Sequence, residues 1–485
     1  MTILGDVGFD PLAAVLAIPA VFALLVALLP GSRFTAWINV LATLLTFLSA
    51  LLLVADRPAP SPYFFVDDLT AVFLVLGTFI GFTTSVFSAS YIAHELETGK
   101  LTPGNLRFYH AMYLVLMFAM NLALLANNIG LMWVAIELGT LATIMMVGIY
   151  RTHAALEAAW KYFILGSVGI ALALFGTILV YMAARPVIGE GQDAMMWTEL
   201  VARSRDFNAD LLNVAFIFLM LGYGTKVGLA PLHAWLPDAH AEGPTPISAI
   251  LSGLLLNVAL YAVLRYKILL AGNPQAIAPG PIMVVLGLLS LGFAAFMLYR
   301  RRDVKRFFAY SSIEHMGLAT FAFGIGGVVA NFAGLLHVGM HSLTKSAIFF
   351  AVGHVAQVKR SQRISDISGL TESHPLLGWG LVLGAVAIAG MPPLGMFMSE
   401  FLIVTSTFAR APLLAVLVVL GLLVGVGAVF LRLTQMAFGP PTPGTGRVEA
   451  SYLPMFAHLL LVLIAGVFLP AVLVESLNAV ALLLG

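Results

Sequence analysis

Two ionisable side chains stand alone in long apolar stretches of this sequence. Lys226 lies within residues 211–231 (LLNVAFIFLMLGYGTKVGLAP), and Glu137 lies within residues 129–150. A charged side chain near the middle of a lipid bilayer costs at least about 2.5–3.5 kcal/mol, and leucine or alanine would pack there at a lower cost. The two residues therefore point to ion handling inside a membrane. A lysine in this setting can hold or release a proton according to where a carboxylate lies.

A second set of ionisable residues lies in the C-terminal half. His337, His341 and Lys345 are spaced four residues apart, which places them on one face of a helix. Glu400 follows in another apolar stretch, GMFMSEFLIV. Neutral histidines can relay protons between lysines, so these four residues extend the first two into a predicted proton-translocation file. Purely structural roles stay open. An intramembrane histidine often only bonds one helix to another, and Lys345 could pair with a carboxylate for structure alone.

Glu314 and His315 are further candidates, in the sequence AYSSIEHMG. Glu314 could contribute to the same file. It could equally be solvated, or bind the basic loop 300–306.

A loop with four possible metal ligands follows Lys226 in the sequence APLHAWLPDAHAEGPTP. The four are His233, Asp238, His240 and Glu242. A proline-rich amphipathic turn is more simply a proton entrance or a packed cap. We therefore predict no metal site.

Composition indicates an all-α polytopic membrane protein. Hydrophobic residues make up 61% of the 485 residues, charged residues only 10%, and the mean hydropathy is +1.01. A soluble protein carries charge on roughly 25% of its residues. The formal net charge of +1 excludes electrostatic binding of nucleic acid as a main activity.

The residue inventory also predicts no cofactor and no catalytic residues. With no cysteine, the chain has no disulfide, no iron–sulfur cluster and no thiolate metal site. It contains no HExxH, Walker or GxGxxG motif either. The expected role is that of a subunit without redox or hydrolytic chemistry.

About fourteen segments are long and apolar enough to span a bilayer, which takes about 20 residues each. They are 11–31, 36–55, 68–92, 109–127, 129–150, 161–184, 211–231, 246–271, 281–299, 306–326, 330–357, 376–405, 412–438 and 453–484. The first lacks a basic region before it, so a signal peptide is not expected.

Basic residues near the segment ends predict the orientation. With the N-terminus outside, 15 lysines and arginines fall on the cytoplasmic side, among them Arg300, Lys305 and Arg447, and 7 fall on the other side. The predicted protein lies in the inner (cell) membrane, with an even number of spans and both termini on the periplasmic side.

Two segments contain helix-breaking residues in their middle. The seventh has Gly222, Gly224, Gly228 and Pro231, and the twelfth has the run Gly390-Met-Pro-Pro-Leu-Gly. Irregular backbone at membrane depth is tolerated only where protein buries it or where it lines a cavity. Breaks five segments apart predict two inverted five-helix repeats, segments 4–8 and 9–13.

This predicts four regions. They are an N-terminal three-helix region at 1–108, a first antiporter-like repeat at 109–271, a second inverted repeat at 281–438, and a C-terminal helix at 453–485.

The run from Gly224 to His240, GTKVGLAPLHAWLPDAH, followed by GPTPIS, resembles the signature of antiporter-like subunits of respiratory complex I, of energy-converting hydrogenases and of Mrp antiporters. The sequence DVKRFFAYSS, which includes Lys305, is similar to the NuoM-type within that superfamily. The runs YRTHAALEAAWKY and SIEHMG look most like component F of Hyf-type hydrogenase (formate hydrogenlyase) complexes.

The resemblance implies that Glu137 and Lys226 form a pair and that Glu400 is the twelfth-segment carboxylate. It also implies that the segment-eleven residues lie between two half-channels. One position departs, because Asn257 stands where the family has a lysine in segment eight. Asn can order water but cannot carry charge, so either water bridges the gap or pumping is weakened.

The predicted function is that of a proton-translocating subunit, with Na⁺ coupling left open, in a hydrogenase-like or complex I-like redox assembly. Its partners would be other membrane subunits and peripheral redox subunits. Two alternatives stay open: an Mrp-like cation/proton antiporter or ion/inorganic-carbon uptake subunit without redox partners, and a structural scaffold.

Overall fold

The computed structural model describes residues 9–31, 33–442 and 451–485. In these ranges the chain folds almost entirely into helices, and β-structure is limited to three isolated bridges. Helices satisfy their backbone hydrogen bonds within one segment, which an apolar environment without water demands. The predicted all-α polytopic membrane class is confirmed. Arg447, which was counted in the orientation, lies outside the described residues.

The described residues of the first part of the chain form eleven α-helices. In chain order they are α1 (Pro11–Leu28), α2 (Arg33–Ala55), α3 (Asp68–Glu97), α4 (Pro103–Leu125), α5 (Ile129–Val147), α6 (His153–Ile188), α7 (Trp197–Arg203), α8 (Ala209–Val227), α9 (Trp235–Glu242), α10 (Thr245–Ile250) and α11 (Leu256–Ala271). A π-helical turn, Leu251–Leu255, joins α10 to α11. The three pieces together make one span, Thr245–Ala271.

The described residues of the second part form nine α-helices. They are α12 (Gly280–Leu298), α13 (Val304–Ile325), α14 (Val328–Lys359), α15 (Leu370–Ser373), α16 (Pro375–Ile388), α17 (Gly395–Arg410), α18 (Pro412–Ala437), α19 (Leu453–Val467) and α20 (Ala471–Leu483).

Among the described residues, eleven helices are long and apolar enough to cross a membrane, or twelve if the bent pair α19–α20 counts as one span. The sequence predicts about fourteen spans, and the difference has two sources. The tenth predicted segment is the 22-residue α13, whose polar residues keep it out of this count. The twelfth is divided into α16 and α17, of 14 and 16 residues.

Both predicted helix breaks are present. α8 ends at Val227, and the following Gly228 has a left-handed φ of 84°. The Trp235 indole donates to the Thr225 carbonyl in the last turn of α8 at 2.8 Å. The second break separates α16 from α17 and contains Gly390, with φ of 64°. The left-handed backbone conformation favours glycine, because a Cβ there would crowd the backbone.

A third break was not predicted. The fourteenth segment, predicted as a single helix, bends by 78° between α19 and α20. Pro470 stands at this bend, immediately before α20.

The core of the molecule is formed by the span Thr245–Ala271 and by α14. The first is wholly enclosed by the rest of the protein and the second almost wholly, whereas α1 and α18 are largely exposed on the outside. The charged and polar residues that the sequence singles out are carried by these two enclosed elements and by the helices packed around them. The fold therefore shields them from the lipid.

Candidate functional site

Lys226 and Glu137 lie together at the first helix break, as predicted. Lys226 is in the last turn of α8 with its side chain fully buried, and its Nζ is 3.6 Å from Glu137 Oε2 on α5. The ammonium donates its hydrogen bond to Thr140 Oγ1 instead, at 2.8 Å. Glu137 Oε2 is buried without a hydrogen-bond partner. The pair is close enough to attract strongly, yet the carboxylate keeps a free acceptor position.

The helices around Lys226 are shaped to admit its side chain. A Cβ added at Gly166 of α6 would lie 3.0 Å from the lysine Nζ, so a larger residue there would crowd the ammonium. Thr140 donates its own hydroxyl proton to Ile136 O at 2.9 Å, which leaves its oxygen free to accept from Lys226. The Tyr162 ring lies 5.8 Å from Nζ.

The three α14 residues share one face and full burial but have different neighbours. Lys345 Nζ donates to the Phe308 carbonyl of α13 at 2.9 Å. His341 has no hydrogen-bond partner on either ring nitrogen, and its ring centroid is 5.9 Å from that of His315. His337 contacts His315 and the Ser399 hydroxyl.

His315, His337 and Glu400 converge from three helices. His315 Nδ1 on α13 is 3.3 Å from His337 Nε2 on α14 and 3.8 Å from Glu400 Oε1 on α17. All three side chains are buried. A Cβ added at Gly390 of the second break would overlap the Glu400 carboxylate, so the break makes room for it.

Glu314 is buried in α13, and its carboxylate lies against Gly425 of α18, where a Cβ would overlap it. This position is inside the bundle and away from the basic loop 300–306. In that loop Arg306 pairs instead with Asp238 at 3.2 Å and with Glu242 at 3.1 Å.

The loop after Lys226 does not gather its four candidate ligands. Asp238 and Glu242 face Arg306, and Asp238 also faces Lys161 at 3.1 Å. His240 is fully buried and stacks on Phe349 at 4.8 Å, while His233 packs on Phe293 at 4.7 Å. This arrangement resembles the packed cap that the sequence offered as one interpretation of the loop.

Lys305 has a structural position at the end of the same loop. Its buried Nζ donates to the carbonyls of Ala241 and Gly243, at 3.2 and 2.5 Å. These carbonyls are left free where α9 ends, and a lysine near a helix C-terminus stabilises such groups.

Asn257 connects the span Thr245–Ala271 to α14. Its Nδ2 donates to Gly253 O in the π-helical turn at 2.7 Å and to Ser342 Oγ of α14 at 2.6 Å. Its Oδ1 is buried without a partner. Ser342 stands between His341 and Lys345, so the amide reaches the middle of the α14 residues.

Sequence reasoning missed several neutral partners. Thr140 and Ser399 carry no charge. The only sequence feature that could have identified them is their spacing from Glu137 and Glu400 on the same helices. It also missed Glu95, a buried carboxylate near the end of α3. Glu95 accepts from Gln357 at 2.9 Å and Tyr150 at 3.1 Å and pairs with Lys100 at 3.3 Å.

A buried ion pair outside the file was missed as well. Arg265 of α11 binds Asp67, at the N-terminus of α3, through two hydrogen bonds of 2.6 and 2.7 Å. Burial favours the neutral carboxyl and would raise the pKa of Asp67. The charge and hydrogen bonds of Arg265, with those of Thr70, outweigh this and hold the pKa below its ordinary value of 3.8.

Comparisons with known proteins agree with this fold. The family model described as NADH:quinone oxidoreductase/Mrp antiporter, transmembrane region, matches residues 126–425, which include every predicted site residue. A hydrogenase-4 component F homolog of Methylacidiphilum infernorum is 60% identical over 463 residues, which cover 96% of this chain and 97% of that protein. NADH-quinone oxidoreductase subunit N of Desulforudis audaxviator is 29% identical over 424 residues, covering 86% of this chain and 81% of its own length.

A chain of the membrane-bound sulfane sulfur reductase, an archaeal respiratory membrane complex, superposes with a TM-score of 0.86 at 22% identity and covers 98% of this chain and 97% of its own. That likeness shows the shared fold. The predicted resemblance to antiporter-like subunits of hydrogenase and complex I assemblies is confirmed. The chain belongs to the NADH:quinone oxidoreductase/Mrp antiporter transmembrane family.

Proposed function

We propose that this chain is the proton-translocating, antiporter-like membrane subunit of a hydrogenase-like or complex I-like redox assembly. The observation that carries the proposal is the Lys226–Glu137 pair, held 3.6 Å apart at the first helix break. The redox chemistry would belong to peripheral partner subunits, and other membrane subunits would flank this chain. The similarity to a hydrogenase-4 component F homolog supports this choice of assembly.

In the proposed mechanism, a charge change in a neighbouring subunit alters the pairing of Glu137 with Lys226. When the carboxylate is near, the lysine keeps its proton. When it withdraws, the buried ammonium loses its counter-charge and gives up the proton to the file. Moving one charge against 100 mV costs about 2.3 kcal/mol, so an exergonic partner reaction has to drive the step.

The proton would continue towards α14 through the region around Asn257. Several polar atoms there are buried without partners, among them Asn257 Oδ1, Ser346 Oγ and both ring nitrogens of His341. Ordered water commonly satisfies such groups. Water held at these atoms would replace the charged residue that the family carries at this position.

We infer the arrangement in the membrane from the sequence pattern. The excess of basic residues on one side supports an inner-membrane protein with both termini on the periplasmic side. The breaks after α8 and after α16 support two inverted repeats, 109–271 and 281–438, between the N-terminal region 1–108 and the C-terminal region 453–485.

The test uses the complex purified from its native membrane and reconstituted into proteoliposomes. Lys226→Ala and Glu137→Gln are expected to abolish proton uptake driven by the redox reaction, while the subunits still assemble on a native gel. Lys161→Ala is the matched control, because that lysine is exposed and pairs at the surface. Proton uptake that is unchanged in either pair variant contradicts the proposal.

The same vesicles decide between proton and Na⁺ coupling. A pump that moves protons keeps its uptake signal in Na⁺-free buffer and loses it with a protonophore. A chain acting as a cation/proton antiporter without redox partners would instead respond to an imposed Na⁺ gradient in the absence of electron donor.

A further inference from the structure

The cluster formed by His315, His337 and Glu400 has the composition of a metal site. One possible ligand atom from each residue, an oxygen or a nitrogen, lies within 4.8 Å of the other two. Among the described residues, this is the group of three possible metal ligands that lie so close together. Two imidazoles and one carboxylate are the ligand set of many zinc centres that keep a fourth position open. The sequence predicts no metal site, and these three residues lie on three different helices.

The distances suit a tetrahedral ion. Ligand atoms about 2.0–2.1 Å from a zinc ion lie about 3.3 Å from one another. His315 Nδ1 and His337 Nε2 are 3.3 Å apart. Glu400 Oε1 is 3.8 Å from His315 Nδ1, and the three ligand atoms all lie within 4.8 Å of one another, so the carboxylate has to move inward to complete the site.

Ser399 orients one of the ligands. Its hydroxyl donates to the Met396 carbonyl at 2.8 Å, so its oxygen accepts from His337 Nδ1 at 3.0 Å. This assignment of the hydrogens leaves the lone pair of Nε2 directed at the centre of the cluster. Metal-binding histidines almost always have their other ring nitrogen held in this way.

Charge in the surroundings also suits a divalent cation. Glu400 Oε1 is buried with no hydrogen-bond partner. If the cluster only packed the helices together, this oxygen would remain unsatisfied. Glu314 lies within electrostatic range of Glu400. Lys345 also lies within electrostatic range of Glu314, so the two carboxylates would balance the two positive charges of the ion inside the bundle when Lys345 is neutral.

We propose that His315 Nδ1, His337 Nε2 and Glu400 Oε1 bind a divalent transition-metal ion of the Zn²⁺ class, with water in the fourth position. The bound ion joins α13, α14 and α17, and α17 begins at the second helix break. It therefore holds that break in one position and displaces protons from the cluster. A bound ion would therefore inhibit transport. This inhibition rests on the proposed function, whereas the binding itself does not.

The binding test uses the full-length chain in lipid nanodiscs, purified with a tag that contains no histidine. Equilibrium dialysis against ZnCl₂ is expected to give one Zn²⁺ per chain, released by EDTA. CoCl₂ is expected to give the visible absorption of a tetrahedral Co²⁺ centre. His315→Gln and His337→Gln each weaken binding by at least about 100-fold, and Ser399→Ala weakens it by about 10-fold to 100-fold.

The matched control is His110→Gln, which removes a buried histidine of α4 outside the cluster and is expected to leave Zn²⁺ binding unchanged. If a histidine variant does not fold, Ser399→Ala and the Co²⁺ spectrum of the wild type still decide the question. The absence of stoichiometric binding by the wild type overturns the proposal, and so does binding that both histidine variants retain. Because no transport is measured, a failure here is separate from a failure of the Lys226 test.

Discussion

Asn257, in the first turn of α11, donates a hydrogen bond of 2.6 Å to Ser342, which joins α11 to the middle of α14. The contact brings a neutral amide to the place where the resemblance described above implies a lysine. Its Oδ1 remains buried and unpartnered, so the position can hold water although it cannot hold charge.

Replacing this amide by an apolar side chain is expected to interrupt proton transfer. Asn257→Leu removes the donor to Ser342 and the site for water, and the redox-driven proton uptake rate should fall more than about tenfold, as expected when a buried group loses about 1.5 kcal/mol of interaction. Asn257→Lys introduces the lysine that the resemblance implies at this position and is expected to keep proton uptake. Asn39→Leu, at a buried asparagine of α2 outside the file, serves as control. Equal rates in Asn257→Leu and wild type would show that this position carries no protons.

Thr140 is expected to tune the release of the proton from Lys226. Thr140→Val removes the hydroxyl that accepts the 2.8 Å hydrogen bond, and the ammonium is left with Glu137 as its partner. Hydrogen bonds to charged groups are worth about 1.5–3 kcal/mol, so the proton uptake rate should change by about tenfold or more. Thr140→Ser keeps the hydroxyl and should restore the wild-type rate. Failure of the serine variant to restore it would mean that the methyl group matters and the hydrogen bond does not.

The Asp67–Arg265 pair is expected to make stability depend on pH. The pKa of Asp67 in the folded protein lies below its ordinary value of 3.8, so the pair stabilises the fold above that value and this contribution is lost as the pH falls through the lower, folded pKa. Breaking a buried pair costs about 3–5 kcal/mol. Asp67→Asn should therefore lower the Tm of the detergent-solubilised chain at pH 7, and the difference from wild type should shrink below about pH 4. A Tm difference that is constant from pH 7 to pH 3 would contradict this account.

Gly390 is expected to tolerate no side chain. Its φ of 64° costs a residue with a Cβ about 1–2 kcal/mol, and a Cβ there would also overlap the Glu400 carboxylate. Gly390→Ala should lower the Tm and displace Glu400, which would also weaken Zn²⁺ binding. Gly292→Ala is the matched control, because a Cβ at that position in α12 meets no atom within 4 Å. Two variants with the same Tm would mean that the second break adapts freely.

The amino-acid sequence was sufficient to identify the residues whose placement inside a membrane is most unfavourable in free energy. Lys226, Glu137 and Glu400 are recognisable because an ionisable group in an apolar run is unfavourable wherever the helix packs. The breaks beside Lys226 and Glu400 were predictable for a similar reason, since glycine and proline act on the backbone locally.

Other features depended on how the helices pack. Lys305 stood out in the sequence only through the motif that contains it, and its contacts at the end of α9 are visible only in the structure. The bend between α19 and α20 has no counterpart in the predicted single segment. The convergence of His315, His337 and Glu400 joins residues up to 85 positions apart in the chain. Burial of a charge is a property of one segment, so the sequence reveals it. A distance between side chains on three helices depends on their mutual positions, and only the tertiary structure determines these.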